Sequence, residues 1–264
     1  MKLSELRIAL WDAYGGSMSS GWVRLLMEQY RFKAKLIYPQ DIDAGNLDAK
    51  YDAIIFVSGA IPALSSRTPT ENSGPKPETI PEEFRSQLGR ISPEKSIPEL
   101  KKFMEQGGKI ITIGSSTNLA YHLGLPVRNA MVEMGKDGQE RRLPAEKYYV
   151  PGSVLRVNVD NSLASAWGMA KIADVYFNNS PVFRISTDEV LKGNIKPILW
   201  FANSSPLRSG WAWGQAYLRD GITAFEAKVG KGTLYAFGPE ITFRAQTHGT
   251  FRLLFNQLYS STGK

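Results

Sequence analysis

The first half of the chain alternates short, continuously apolar runs with amphipathic ones. LRIALWD (residues 6–12), AKLIYP ending at Pro39, YDAIIFVSG ending at Gly59 and KIITIG are too short for helices and too apolar for surface strands, so they predict strands buried on both faces. Between them, WVRLLMEQY places Trp22, Leu25, Leu26 and Tyr30 at helical spacing, and IPELKKFMEQGG predicts a helix with a glycine stop. Such alternation implies a parallel sheet covered on both sides. After Leu125 the pattern changes. GSVLRVNVD, ADVYFNNSPVFRIS, KPILWFA and ITAFEAKVGKGTLYAFG predict strands, with Gly230-Lys231-Gly232 as a hairpin turn. EMGKDGQERR reads only as solvated charge or a turn. HGTFRLLFNQLY then predicts a closing helix whose apolar face carries Phe251, Leu254, Phe255 and Leu258.

The pattern stops over residues 60–96, where prolines stand at 62, 69, 75, 77, 81 and 93. A connection of that length without clear elements predicts a lid-like or partly disordered loop. The organisation expected is one domain over residues 6–260, with a β-rich insertion at 126–220 and no internal repeat.

Composition narrows the chemistry. An apolar share of 42% and a charged share of 22% are those of a globular domain, and no apolar run is long enough to cross a membrane. With no cysteine and two histidines, His122 and His248, thiolate chemistry and His-rich metal sites are excluded, and we expect neither metal nor cofactor here. The net charge of +7 is spread along the chain rather than gathered into a stripe, so nucleic acid is not the expected partner.

Two predicted strand ends carry the sharper signal. IGSSTNLAYHLGL (residues 113–125) resembles the strand-to-helix elbow of class I glutamine amidotransferase-like domains, with Gly114 at the nucleophile position and Ser115 after it. FGPEITFRAQTHGTFRLLFNQL resembles the late strand of that family, where His-Pro-Glu is usual; here Gly238 replaces the histidine while Pro239 and Glu240 remain. The resemblance implies a flavodoxin-like three-layer α/β sandwich. It also implies that two of three catalytic positions are glycine, which offers neither a nucleophile nor a base. A fallback hydrolase would use Ser115 with His248 and Glu240.

A wider resemblance spans nearly the whole chain. DAYGGSMSSGWVRLLMEQY, YPQDIDAGNLDAKYDAIIFVSGAIP, GSSTNLAYHLGLPV, PLRSGWAWGQ and FGPEITFRAQTHGTFRLLFN resemble the C-terminal region of bacterial zinc carboxypeptidase-like proteins of the metallocarboxypeptidase A family. That implies an exported parent protein whose zinc lies on a separate peptidase domain. Neither His122 nor His248 begins a His-x-x-Glu pair, so the zinc site is not on this chain. This chain is then expected to be a non-catalytic accessory domain, with that peptidase domain, or a second copy of itself, as partner.

Other residues have a functional and a plain reading each. Gly15, Gly16 and Ser17 precede a predicted helix and could cradle an anion, or simply form a turn and cap. Trp211 and Trp213 share one face if extended, beside Arg208, and suit sugar stacking or a partner surface; otherwise they belong to the core. Arg244 and Ser116 are candidates for a polar pocket with Glu240 and His248, the plain alternative being that Glu240 and Arg244 pair structurally.

Overall fold

The computed structural model describes residues 6–64 and 75–259. The chain divides into two compact units, one of residues 1–125 with 228–234, the other of residues 126–227 with 235–264.

The first unit is built on four parallel strands: β1 (Ile8–Trp11), β2 (Ala34–Ile37), β3 (Ala53–Phe56) and β4 (Lys109–Ile113), arranged β2-β1-β3-β4. All four residues of β1 and all four of β3 are buried, as continuous apolar runs require in a sheet covered on both faces. The connecting helices are α1 (Met18–Gln29), α2 (Pro39–Asp43), α3 (Leu47–Lys50) and α4 (Ser96–Glu105). Right-handed crossovers in this strand order put α1 on one face and α2 to α4 on the other, which makes the three-layer α/β sandwich.

The buried stripe of α1 is Ser20, Val23, Leu26 and Met27, whereas Leu25 and Tyr30 are exposed. The helix is therefore rotated from the face that the tryptophan and tyrosine suggested. After β4 come a 3-10 turn (Gly114–Asn118) and α5 (Leu119–His122). Of the segment expected to be lid-like, residues 75–96 carry two 3-10 helices, Pro77–Thr79 and Glu82–Gln87, and residues 65–74 lie outside the described residues.

The second unit is antiparallel. Its strands are β5 (Arg128–Asn129), β6 (Val132–Met134), β7 (Glu140–Arg142), β8 (Ser153–Val159), β9 (Ile172–Phe177), β10 (Phe183–Arg184), β11 (Ile195–Trp200) and β12 (Leu207–Ser209). α6 (Thr187–Leu191) lies between β10 and β11; β13 (Ile222–Val229), β14 (Gly232–Phe237) and α7 (Phe251–Tyr259) complete the chain. β8 alternates buried and part-buried residues, with Leu155, Val157 and Val159 inward, the period-two pattern of a half-covered strand. β6 and β7 form a hairpin within the stretch read only as charge and turn. α7 buries Phe251, Leu253, Leu254, Phe255 and Leu258, so the expected apolar face is present and wider by Leu253.

Candidate functional site

The elbow after β4 is made of three residues with different surroundings. Gly114 has φ 60°, left-handed backbone that a side chain strains, and it is buried. Ser115 Oγ accepts the Gly59 N–H at 2.8 Å and lies 3.2 Å from Ser58 Oγ, which itself accepts the Ser115 N–H at 3.2 Å. Ser116 is fully buried; its hydroxyl accepts from Ala60 N (3.1 Å) and Ile61 N (3.2 Å) and donates to the Val57 carbonyl. Both serines thus tie the loop after β4 to the loop after β3. His122, close behind, has Nε2 2.9 Å from the Pro62 carbonyl.

The late strand end is closed by backbone. A Cβ on Gly238 would stand 2.2 Å from the Pro181 carbonyl oxygen and 2.8 Å from that of Thr223. The Gly238 N–H meanwhile donates to Thr223 O at 2.8 Å, so the strand is held against that wall. Glu240 is part-buried, and its N–H donates to the Tyr176 carbonyl at 3.2 Å. Arg244 has φ 50° and lays its guanidinium 5.2 Å from the Phe243 ring, which stacks on Tyr176 at 3.9 Å. His248 is exposed, and its ring stacks on Phe251 at 5.1 Å.

Ser17 is the N-cap of α1: its Oγ accepts the Ser20 N–H at 3.2 Å, and its own N–H donates to Asp12 Oδ1 at 2.8 Å. Asp12 also accepts the Ala13 N–H, so a buried carboxylate already faces the helix's positive end. Beside it lies an open hollow of about 560 Å³ reaching to Arg24 and Glu28.

Trp211 and Trp213 are each 52% exposed, which removes the reading that they fill the core. Their rings are near-parallel at 6.4 Å, Tyr149 meets Trp211 edge-on at 6.0 Å, and Trp213 Nε1 donates to Glu146 O at 2.6 Å. The backbone is pinned under them. Ser153 Oγ bonds both Trp211 N and Trp211 O, and Trp213 exchanges both backbone bonds with Tyr149. Arg208 stands 3.7 Å from Asp174, which pairs with Arg156 at 3.2 Å.

A cavity of about 270 Å³, which sequence reasoning missed, lies in the same unit, lined among others by Asn129, Arg142, Tyr148, Tyr149, Asn179 and Ser180. Its residues come from stretches far apart in sequence and form no motif. Among the described residues no cluster of metal-ligating side chains is present, and no helix is long and apolar enough to cross a membrane.

No protein-family model matches the chain, and no curated protein matches it by sequence. Solved structures match its fold. A ThuA-like protein from Bacteroides uniformis is 10% identical, over 100% of this chain and 94% of its own, with TM-score 0.50. A GMP synthase subunit from Thermoplasma acidophilum is 12% identical over 98% of this chain and 95% of its own, with TM-score 0.53. A β-galactosidase from Bacillus circulans sp. alkalophilus is 10% identical over 97% of this chain with TM-score 0.54, and this chain spans 31% of its length. The fold is therefore that of ThuA-like and class I glutamine amidotransferase-like domains. At such identities the likeness is one of fold.

Proposed function

We infer that this chain is a non-catalytic accessory domain of an exported zinc carboxypeptidase-like protein, acting as a scaffold or contact surface for the peptidase domain. The observation that carries the reading is Gly238: at the position of the expected base, neighbouring carbonyl oxygens fill the space where a side chain would begin. Gly114 repeats the loss at the nucleophile position, and the hydroxyls of Ser115 and Ser116 serve loop-to-loop hydrogen bonds. A nucleophile without an adjacent base is weak at neutral pH, so the hydrolase alternative has little support. The parent and its zinc rest on the sequence resemblance alone.

The contact surface in this reading is the exposed pair Trp211 and Trp213, since aromatic side chains held rigidly at a surface are favoured anchors for partners. Their exposure also favours a second reading, a saccharide-binding face. Two experiments decide. The purified chain is assayed with an activated ester and with glutamine, and no turnover above buffer is expected; turnover abolished by Ser115→Ala overturns the non-catalytic reading. Binding of the chain to a zinc carboxypeptidase domain from its own polypeptide is measured by calorimetry, where at least tenfold weakening in Trp211→Ala is expected. Binding unchanged by that substitution removes the aromatic pair as contact surface.

A further inference from the structure

Two arginines face each other across a strand pair in the antiparallel unit. In the register of β5 with β10, Arg184 stands directly opposite Arg128, and Phe183 directly opposite Asn129. Side chains directly opposite in an antiparallel pair leave the same face of the sheet, with Cβ atoms about 5 Å apart. Phe183 is fully buried and meets Phe225 edge-on, so its face is the core. Successive residues alternate sides, and both arginines therefore leave by the other face, where they are exposed. Like charges so placed are destabilising unless an opposite charge lies between them. Among the described residues neither guanidinium has an ion pair or a hydrogen bond.

The same two arginines line an open hollow of about 540 Å³, whose wall continues through Val127, Ile185 and Glu189. All of these residues belong to the antiparallel unit. The fold thus brings both cations to one concave surface beside apolar side chains. The carboxylate in the wall is already matched, since Lys192 Nζ lies 2.5 Å from Glu189 Oε1. The hollow keeps two positive charges without a counter-charge.

We propose that this hollow binds a small phosphate monoester, its dianionic head between Arg128 and Arg184 and its organic part against Val127 and Ile185. Two guanidiniums call for two negative charges. A phosphate monoester carries close to two at neutral pH, and its three terminal oxygens can accept from both forks. A monoanion matches one guanidinium and leaves much of the repulsion in place. The hollow is of the size of small-molecule sites and exceeds what the phosphate head alone fills, and its wall beyond the arginines is apolar. Those two features favour an ester over the free ion. The site stands apart from the docking reading and does not depend on the parent protein.

The test is calorimetric titration of the intact chain at low salt with phenyl phosphate, inorganic phosphate and phenyl sulfate, the last having the same shape as the first and a single charge. We expect saturable binding of phenyl phosphate, tighter than phenyl sulfate by about tenfold or more and tighter than inorganic phosphate. Arg128→Gln and Arg184→Gln should each weaken it by about tenfold or more, one charge-assisted contact being of that order. Each variant also removes one of two opposed like charges, so its melting temperature without ligand should equal or exceed that of the wild type. That separates a binding role from damage to the fold. Lys171→Gln, which removes an exposed positive charge outside the hollow, should leave the affinity unchanged. Inorganic phosphate binding as tightly as phenyl phosphate assigns the site to the free ion and overturns the ester. Absence of phenyl phosphate binding, equal affinity for phenyl sulfate, wild-type affinity in both arginine variants, or an equal loss in Lys171→Gln overturns the site itself.

Discussion

Ser115 and Ser116 are neighbours in sequence with different consequences when removed. Ser116 Oγ is buried and serves two N–H donors and one carbonyl, so Ser116→Ala leaves three buried backbone groups with one partner fewer. Roughly 2–4 kcal/mol of unfolding free energy should be lost, measurable by urea denaturation. Ser115 is only part-buried, water can replace its hydroxyl, and Ser115→Ala should cost about 1 kcal/mol or less. Equal losses would mean that the two hydroxyls do the same work. At Gly238 the direction is also fixed: Gly238→His, which installs the histidine that the sequence resemblance leads one to expect there, forces a Cβ to 2.2 Å from a carbonyl oxygen. It should cost more than about 3 kcal/mol, or prevent folding, and thermal melting checks it. The sequence identified both glycines as the positions to examine. It did not reveal that Gly238 is required by space, because Pro181 and Thr223 approach from elsewhere in the chain.

At the scale of elements, the strands were legible wherever burial is uniform or strictly alternating. β1, β3 and β8 follow from residue type alone, since a fully covered strand needs a continuous apolar run and a half-covered one needs alternation. The rotation of α1 was not legible, because Trp22, Leu25 and Tyr30 are apolar enough for a core and only packing decides that Val23 and Met27 go there. The β6–β7 hairpin was hidden for a related reason: its charged residues pair with neighbours, Glu133 of β6 with Lys147 beyond the hairpin and Arg141 of β7 with Asp137 in the turn, instead of burying an apolar face. The aromatic ledge behind Trp213 depends on another close approach. Gly214 has φ 66°, and a Cβ there would meet the Lys147 carbonyl oxygen at 1.9 Å. Gly214→Ala should therefore break the paired bonds between Tyr149 and Trp213, cost roughly 2 kcal/mol or more, and change the near-ultraviolet circular dichroism of the stacked tryptophans. An unchanged spectrum would show that the ledge is not held from behind.

For the whole molecule, part-buried Lys109 and buried Tyr148 set opposite slopes in the dependence of stability on pH. Lys109, at the start of β4, is lowered from 10.5 to about 8 by burial. Between those values the unfolded chain holds a proton that the folded chain has released, so unfolding free energy rises with pH through this window. Below about pH 8 both states are charged and the full cost of burying the ammonium is present; above about 10.5 it is gone. Because solvent still reaches the group, the rise should be on the order of 1 kcal/mol. Tyr148 acts the other way. Burial raises its phenol, so the folded state keeps the proton after the unfolded state begins to lose it near pH 10, and stability falls above that point. Melting temperature measured from pH 7 to 11 should therefore climb from about pH 8 and turn down above about pH 10. Lys109→Met should start more stable at pH 7 and lose that advantage as pH passes through 8 to 10.5, whereas Tyr148→Phe should keep the climb and lessen the downturn, to which Tyr38, also raised by burial, still contributes.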